Sequence, residues 1–274
     1  MTFAYMLAEI VGGWWAGSLA LLADAGHMFS DVAALGLSLF ASWIAERPPT
    51  PQHSYGYYRA EILAALANGA ALVVIAIFVF IEAVQRIGEP QPVQGQLMLA
   101  VAVGGLAINL IGLAILSAGR TESLNIHGAW LHLLTDAMGS VAALAAGALI
   151  WAFDWQLADP IASILIGLLV IYSSWELLKE SVHILMESTP RRLDIDAVRD
   201  ALAGAPGVCG VHDLHIWTIT SGMESLSAHV VVRQGQSAHE SLELIRHLVH
   251  AQFGIDHITI QIEPETADHC RTSF

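Results

Sequence analysis

Six long apolar stretches constrain this 274-residue chain more than any other feature of it. They cover roughly residues 2–17, 19–45, 60–86, 96–118, 124–152 and 157–178. A bilayer's hydrocarbon core takes about 20 residues of helix, and a soluble domain has no use for so many runs of that length. The third holds an unbroken apolar run from Ala70 to Ile81. The first is short, and its span is expected to be completed by residues upstream of Met1. Only 13% of the residues are charged, against about 25% in a typical soluble domain. The expected fold is a polytopic α-helical membrane protein, with six transmembrane helices over residues 1–180. No basic region precedes the first run and no cleavage site follows it, so no removable signal is expected.

Positive charge sets the expected orientation. Arg47 and Arg59 flank the second loop, Arg120 lies in the fourth, and Lys179, Arg191 and Arg192 follow the last run, whereas 154–159 has no Lys or Arg. Short cytoplasmic loops carry the excess of Lys and Arg. The second loop, the fourth loop and the C-terminus are therefore expected in the cytoplasm, and an even number of spans places the N-terminus there too. Arg86, at the end of the third run, goes against this pattern and is expected to snorkel to the interface.

Beyond residue 187 the pattern changes. Residues 194–203 read as a helix, 211–220 and 225–233 as strands, 238–253 as an amphipathic helix, and 257–263 as a strand. The expectation is a cytoplasmic α-β-β-α-β domain over 187–265, followed by a tail at 266–274. The formal net charge of -14 argues against nucleic-acid binding. No P-loop is present, so no ATP is expected as partner. Cys209 and Cys270 form neither a CxxC motif nor a disulfide framework.

Polar residues inside the apolar runs carry the chemistry. The second run contains Asp24, His27 and Asp31, and the fifth contains His132 and Asp136. Each His precedes an Asp by four positions, which puts both side chains on one helix face. Two such faces meeting would offer two imidazoles and two carboxylates to one ion. That set suits tetrahedral Zn²⁺, and imidazole also accepts Co²⁺, Ni²⁺ and Cu²⁺. A carboxylate at bilayer depth costs at least about 2.5–3.5 kcal/mol, and bound metal or protons would offset it. One intramembrane His is readily explained by helix packing; the same His-x-x-x-Asp pattern on two spans is not. Asp24 fits either the same face or the membrane boundary. Asn68 and Asn109 read as hydrogen-bonding groups between helices.

The chain resembles the cation diffusion facilitator family, in its zinc-transporting, proton-antiport branch. The resemblance rests on Gly-Ser-Leu-Ala-Leu-Leu-Ala-Asp-Ala-Gly-His-Met-Phe-Ser-Asp at 17–31 and Tyr-Gly-Tyr-Tyr-Arg-Ala-Glu at 55–61. It also rests on His-Leu-Leu-Thr-Asp at 132–136, Asp-Pro-Ile-Ala-Ser at 159–163 and Val-His-Asp-Leu-His-Ile-Trp at 211–217. It implies efflux of divalent cations, chiefly Zn²⁺ with Cd²⁺ or Co²⁺ as alternatives, by a homodimer in the lipid of a cell inner membrane. It implies a metallochaperone-like cytoplasmic domain and assigns the transport site to His27, Asp31, His132 and Asp136. Arg59 and Glu187 match an interlock of charges, although an exposed pair contributes only about 0–1 kcal/mol.

The same resemblance places metal ligands of the cytoplasmic domain at His212, His229, His239 and Glu263, where Gln261 replaces a histidine. His269 and Cys270 would add an imidazole and a thiolate. His215 is expected to pack beside Trp217. In the second loop His53 matches a ligand position, but Tyr57 stands in place of its partner histidine, so strong binding is not expected there. The fourth loop, 119–123, lacks the histidines common in relatives. Two other functions fit less of the pattern. An intramembrane metalloenzyme would need an open coordination position and a base, so the chain is not expected to be an enzyme. A membrane-anchored zinc sensor would need no ligands on two spans.

Overall fold

The computed structural model describes residues 2–117 and 124–265. Six helices come first: α1 (Thr2–Ala16), α2 (Leu19–Ala45), α3 (Ala60–Gly88), α4 (Gly95–Ser117), α5 (Leu124–Phe153) and α6 (Ala158–Leu185). After them come α7 (Ile195–Ala203), β1 (Val208–Thr220), β2 (Met223–Val232), α8 (Ala238–Phe253) and β3 (His257–Pro264). The chain forms two compact units: Met1–Phe40 with Ala64–Leu178, and Ala41–Leu63 with Lys179–Phe274.

Helices α2 to α6 are each long and apolar enough to cross a membrane; α1 has 15 residues. Their outward faces carry Trp14, Leu39, Phe78, Ile115 and Tyr172, all more than two-thirds exposed. Such a surface belongs in lipid, since soluble proteins rarely expose large contiguous apolar patches. Between the helices lies a core of small and medium side chains, including Ala20, Leu21, Ala76, Met98, Ala143 and Ile166. At one end α4 and α5 touch backbone to backbone. A Cβ on Gly95 would lie 2.6 Å from the Trp151 nitrogen, and one on Gly147 would lie 3.0 Å from the Leu99 nitrogen. Close approach through small residues is how membrane helices gain packing where no hydrophobic effect drives them together.

A buried carboxylate fastens the start of α2. The chain turns at Gly17 (φ 69°), and the Ser18 hydroxyl accepts from the Leu21 N–H at 3.2 Å. That hydroxyl donates to Asp159 Oδ1 at 2.6 Å, while the N–H groups of Leu19 and Ala20 donate to the same carboxylate at 2.8 and 3.1 Å. Asp159 sits in the first turn of α6 and is fully buried. It satisfies helix N-terminal donors that lipid cannot. Arg86 completes the group: its Nη1 donates to the Gly17 carbonyl at 2.7 Å and lies 3.7 Å from Asp159. Arg86 is held by the Gly17 carbonyl and the Asp159 carboxylate, and also by Glu82 on its own helix at 2.9 Å.

In the second unit the sheet order is β1-β2-β3. β1 and β2 pair antiparallel, and β2 and β3 pair parallel through the α8 crossover. Val198, Leu202, Val211, Leu226, Val230, Ile245, Val249 and Ile255 make its core. Asp194 and Ser237 cap the starts of α7 and α8. α6 continues to Leu185, past the apolar run, because Glu176, Lys179 and Glu180 are good helix formers that have no reason to stop it. Glu187 follows with φ 57°, a left-handed conformation.

Candidate metal sites

The i, i+4 spacing on α2 and α5 acts as expected: the structure brings His27, Asp31, His132 and Asp136 to one point. His27 Nε2 is 3.1 Å from Asp136 Oδ1 and 3.8 Å from Asp31 Oδ2. His132 Nε2 is 3.4 Å from Asp31 Oδ2 and 3.6 Å from Asp136 Oδ2. Each imidazole thus faces both carboxylates. A tetrahedral ion with ligands at 2.0–2.2 Å has donor–donor edges of about 3.4 Å, and these four separations bracket that value. The two rings are tilted by 58° with centroids 5.8 Å apart. Among the described residues, His27 Nδ1 is buried without a hydrogen-bond partner.

The neighbouring helices hold this pair of faces in place. Ser30 on α2 donates to Asn68 on α3 at 2.8 Å, and Asn109 on α4 donates to Ser140 on α5 at 3.3 Å. Both Asn residues act as the links between helices that were expected. A cavity of about 240 Å³ adjoins three of the four donors, Asp31, His132 and Asp136. Its lining includes Tyr5 and Glu9 of α1 as well as Asp24. Asp24 is buried, so it lies on the inner face rather than at a boundary. Glu9 falls outside any His-Asp spacing; its only signal is a lone carboxylate within the first apolar run.

A second group lies on the sheet. His212 Nε2 is 3.1 Å from Glu263 Oε2, and His229 Nδ1 is 2.9 Å from Glu263 Oε1. The register explains this: His212 pairs with His229 across β1 and β2, and His229 pairs with Gln261 on β3. Gln261 donates to Glu263 at 2.9 Å. The hydrogen bond with His212, helped by those from Gln261 and His229, holds the Glu263 carboxyl below the usual glutamate range. At Asp213 (φ 52°) the β1 register shifts, and its carboxylate meets His215 at 2.9 Å and His229 at 3.7 Å. His239 is exposed on the first turn of α8 and is not part of the group in this chain. His269 and Cys270 lie outside the described residues.

Elsewhere in the second unit, Arg59 Nη2 donates to Glu187 Oε1 at 2.8 Å, and both side chains are solvent-exposed. A further tie involves Glu61, which accepts from the hydroxyls of Thr220 (2.6 Å) and Ser221 (3.1 Å) at the β1–β2 turn. Its sequence signal was its place beside Arg59 in the 55–61 segment. His53 bridges to Thr50 and stacks on Tyr57 with centroids 4.7 Å apart. It belongs to neither metal-capable group among the described residues.

Comparison with known proteins converges with this geometry. The cation efflux transmembrane domain matches residues 1–186, and the cytoplasmic domain of cation efflux proteins matches residues 190–265. The chain is 43% identical to the "Cadmium, cobalt and zinc/H(+)-K(+) antiporter" of Bacillus subtilis, over 98% of this chain and 88% of that one. It is 43% identical to the zinc transporter ZitB of Escherichia coli, over 96% and 84%. It is 41% identical to the metal cation efflux system protein CzcD of Cupriavidus metallidurans, also over 96% and 84%. The solved metal-bound C-terminal domain of the CzcD transporter is 38% identical over 26% of this chain and 99% of that one, with a TM-score of 0.25. The chain is therefore a polytopic membrane protein of the cation efflux, or cation diffusion facilitator, family, whose members are metal transporters and not enzymes.

Proposed function

We propose that this chain exports Zn²⁺ from the cytoplasm, with Cd²⁺ or Co²⁺ as alternative cargo, through His27, Asp31, His132 and Asp136. One observation carries the reading: four donors from two helices lie at separations fitting the edges of one tetrahedral ion. Binding needs neutral imidazoles and ionised carboxylates, so metal and protons compete for the same groups. Protons entering from the opposite side would then release the ion, which is antiport. The named cargo of the relatives supports zinc, cadmium and cobalt, and the Bacillus protein is named an antiporter.

In this reading residues 1–180 form the membrane domain of a homodimer in the cell inner membrane, and both termini lie in the cytoplasm. Residues 187–265 form the cytoplasmic domain and 266–274 its tail. The domain's match to the family's cytoplasmic dimer domain supports the dimer. His212, His229 and Glu263 would hold a regulatory ion there, and Arg59 with Glu187 would act as a hinge. The test is zinc flux in vesicles under an imposed pH gradient. Loss of flux in a His27→Ala, Asp136→Ala double variant is expected, and flux at the parent rate would remove the site.

A further inference from the structure

The turn between β1 and β2 is held by a side chain from the start of α3. Glu61, Thr220 and Ser221 all lie in the second unit. Glu61 sits in the first turn of α3. Its Oε2 accepts from the Thr220 hydroxyl at 2.6 Å, and its Oε1 accepts from the Ser221 hydroxyl at 3.1 Å. Thr220 ends β1 and is buried, which shields the shorter bond from water. Hydroxyl bonds to a carboxylate are shorter and stronger than neutral ones, and one on each oxygen fixes the orientation of the group. These bonds do not serve to start the helix. The N–H groups of Ala60 and Glu61 already donate to the Tyr57 and Tyr58 carbonyls, at 2.9 and 3.3 Å.

The tie joins two elements that lead to the two metal-capable groups. β1 and β2 carry His212 and His229, which pair in register. β1 shifts register between His212 and His215, beside the sheet group, and again between Thr218 and Thr220, beside the tie. Such irregularities bend a strand and re-aim its side chains. In the other direction, α3 is continuous from Ala60 to Gly88. Asn68 follows Glu61 by seven residues, close to two full turns, so the two share a helix face. Asn68 accepts from Ser30, the neighbour of Asp31 on α2, at 2.8 Å, and both groups are buried.

We propose that Glu61 is a positioning residue for zinc export: held by Thr220 and Ser221, it lets the His212, His229 and Glu263 group set the zinc affinity of the transport site. The proposal rests on the transport-site and regulatory-ion readings above and names the contact that couples them. A bound ion takes the ring nitrogens that now face Glu263. The strands carrying those rings adjust, and the tie passes the adjustment to α3 and, through Asn68 and Ser30, to the helix bearing His27 and Asp31. An ion that orders the strands leaves less for the second ion to order, so the coupling is positive. By linkage it is reciprocal.

The experiment measures zinc flux by the full-length protein in vesicles over a range of zinc concentrations. Glu263→Gln, which weakens the sheet group, is expected to raise the half-saturating concentration by about fivefold or more while the maximal rate holds. Glu61→Ala is expected to raise it likewise, and adding Glu263→Gln to Glu61→Ala is expected to raise it no further. Thr220→Val with Ser221→Ala should behave as Glu61→Ala does, whereas Thr220→Ser, which keeps a hydroxyl, should retain the response. An unchanged elution volume shows that each variant is folded. A merely structural role for Glu61 would lower the maximal rate and leave the response to Glu263→Gln intact. Two results overturn the proposal alone: that response survives at parent size in Glu61→Ala, or it survives in the Thr220→Val, Ser221→Ala variant. No response in the parent chain would overturn the regulatory-ion reading and the proposal with it. Parent-rate flux in the His27→Ala, Asp136→Ala variant would overturn the transport-site reading, so the failures are distinguishable.

Discussion

The two metal-capable groups differ in how they are closed. The membrane group draws four donors from two helices, and each imidazole faces both carboxylates. The sheet group draws three donors from three strands, and its one carboxylate already takes hydrogen bonds from both histidines and Gln261. Four donors complete a tetrahedral ion, and three leave one position open. The first arrangement can enclose cargo alone. The second holds its own shape without metal and leaves room for a ligand from outside the described chain.

The largest expected effect tests that contrast directly. Asp136→Ala should cut zinc flux in vesicles by at least the 10–100-fold typical of even outer-shell changes at metal sites. Glu263→Gln should lower the zinc content of the purified protein while flux continues. Equal losses of flux would erase the distinction between the groups. Next is the Asp159 fastening of α2, the helix that carries His27 and Asp31. Asp159→Ala removes the acceptor of the Ser18 hydroxyl and of two helix N–H groups, and should cost about 1–3 kcal/mol for each donor left buried and unsatisfied. Thermal unfolding in detergent reads the loss, and zinc affinity should fall with it.

Smaller effects belong to the sheet unit. Arg192 donates to Glu224 at 2.8 Å, and this bond holds the Glu224 carboxyl below the usual glutamate range. A depressed carboxyl pKa stabilises the fold above the unfolded value of about 4.3, and that contribution fades as pH falls through the folded value. Hydrogen-exchange protection of β2 should therefore drop on acidification below about pH 4, and Glu224→Gln should flatten this dependence. The smallest effect is Glu187→Gly, which relieves a left-handed backbone but removes the Arg59 contact. The left-handed strain is about 1–2 kcal/mol, the exposed pair contributes about 0–1 kcal/mol, and glycine's greater freedom in the unfolded chain offsets part of the relief, so the thermal midpoint should barely move.

Much of the membrane group was legible because its information is local. A four-residue spacing on each of two apolar runs is enough to align His27 with Asp31 and His132 with Asp136. The element order of the second unit was equally plain, since β-branched Val230 to Val232 and the amphipathic 238–253 segment have distinct periods. Other features needed three dimensions. Arg86 reads as a misplaced surface charge until Gly17 and Asp159, far away in sequence, are found beside it. Glu9 has no spacing partner and gains meaning only from the cavity it shares with Asp24. The length of α6 was underread because hydropathy reports where lipid ends, not where a helix does.

The pinned start of α2 would give any tilt of that helix a fixed pivot. A helix tethered at one end swings most at its far end. With a rise of 1.5 Å per residue, His27 lies about 12 Å from Leu19 and Asp31 about 18 Å. A tilt about that pivot would displace Asp31 by half as much again as His27, so a cage held by these four groups would open first at its Asp31–His132 edge.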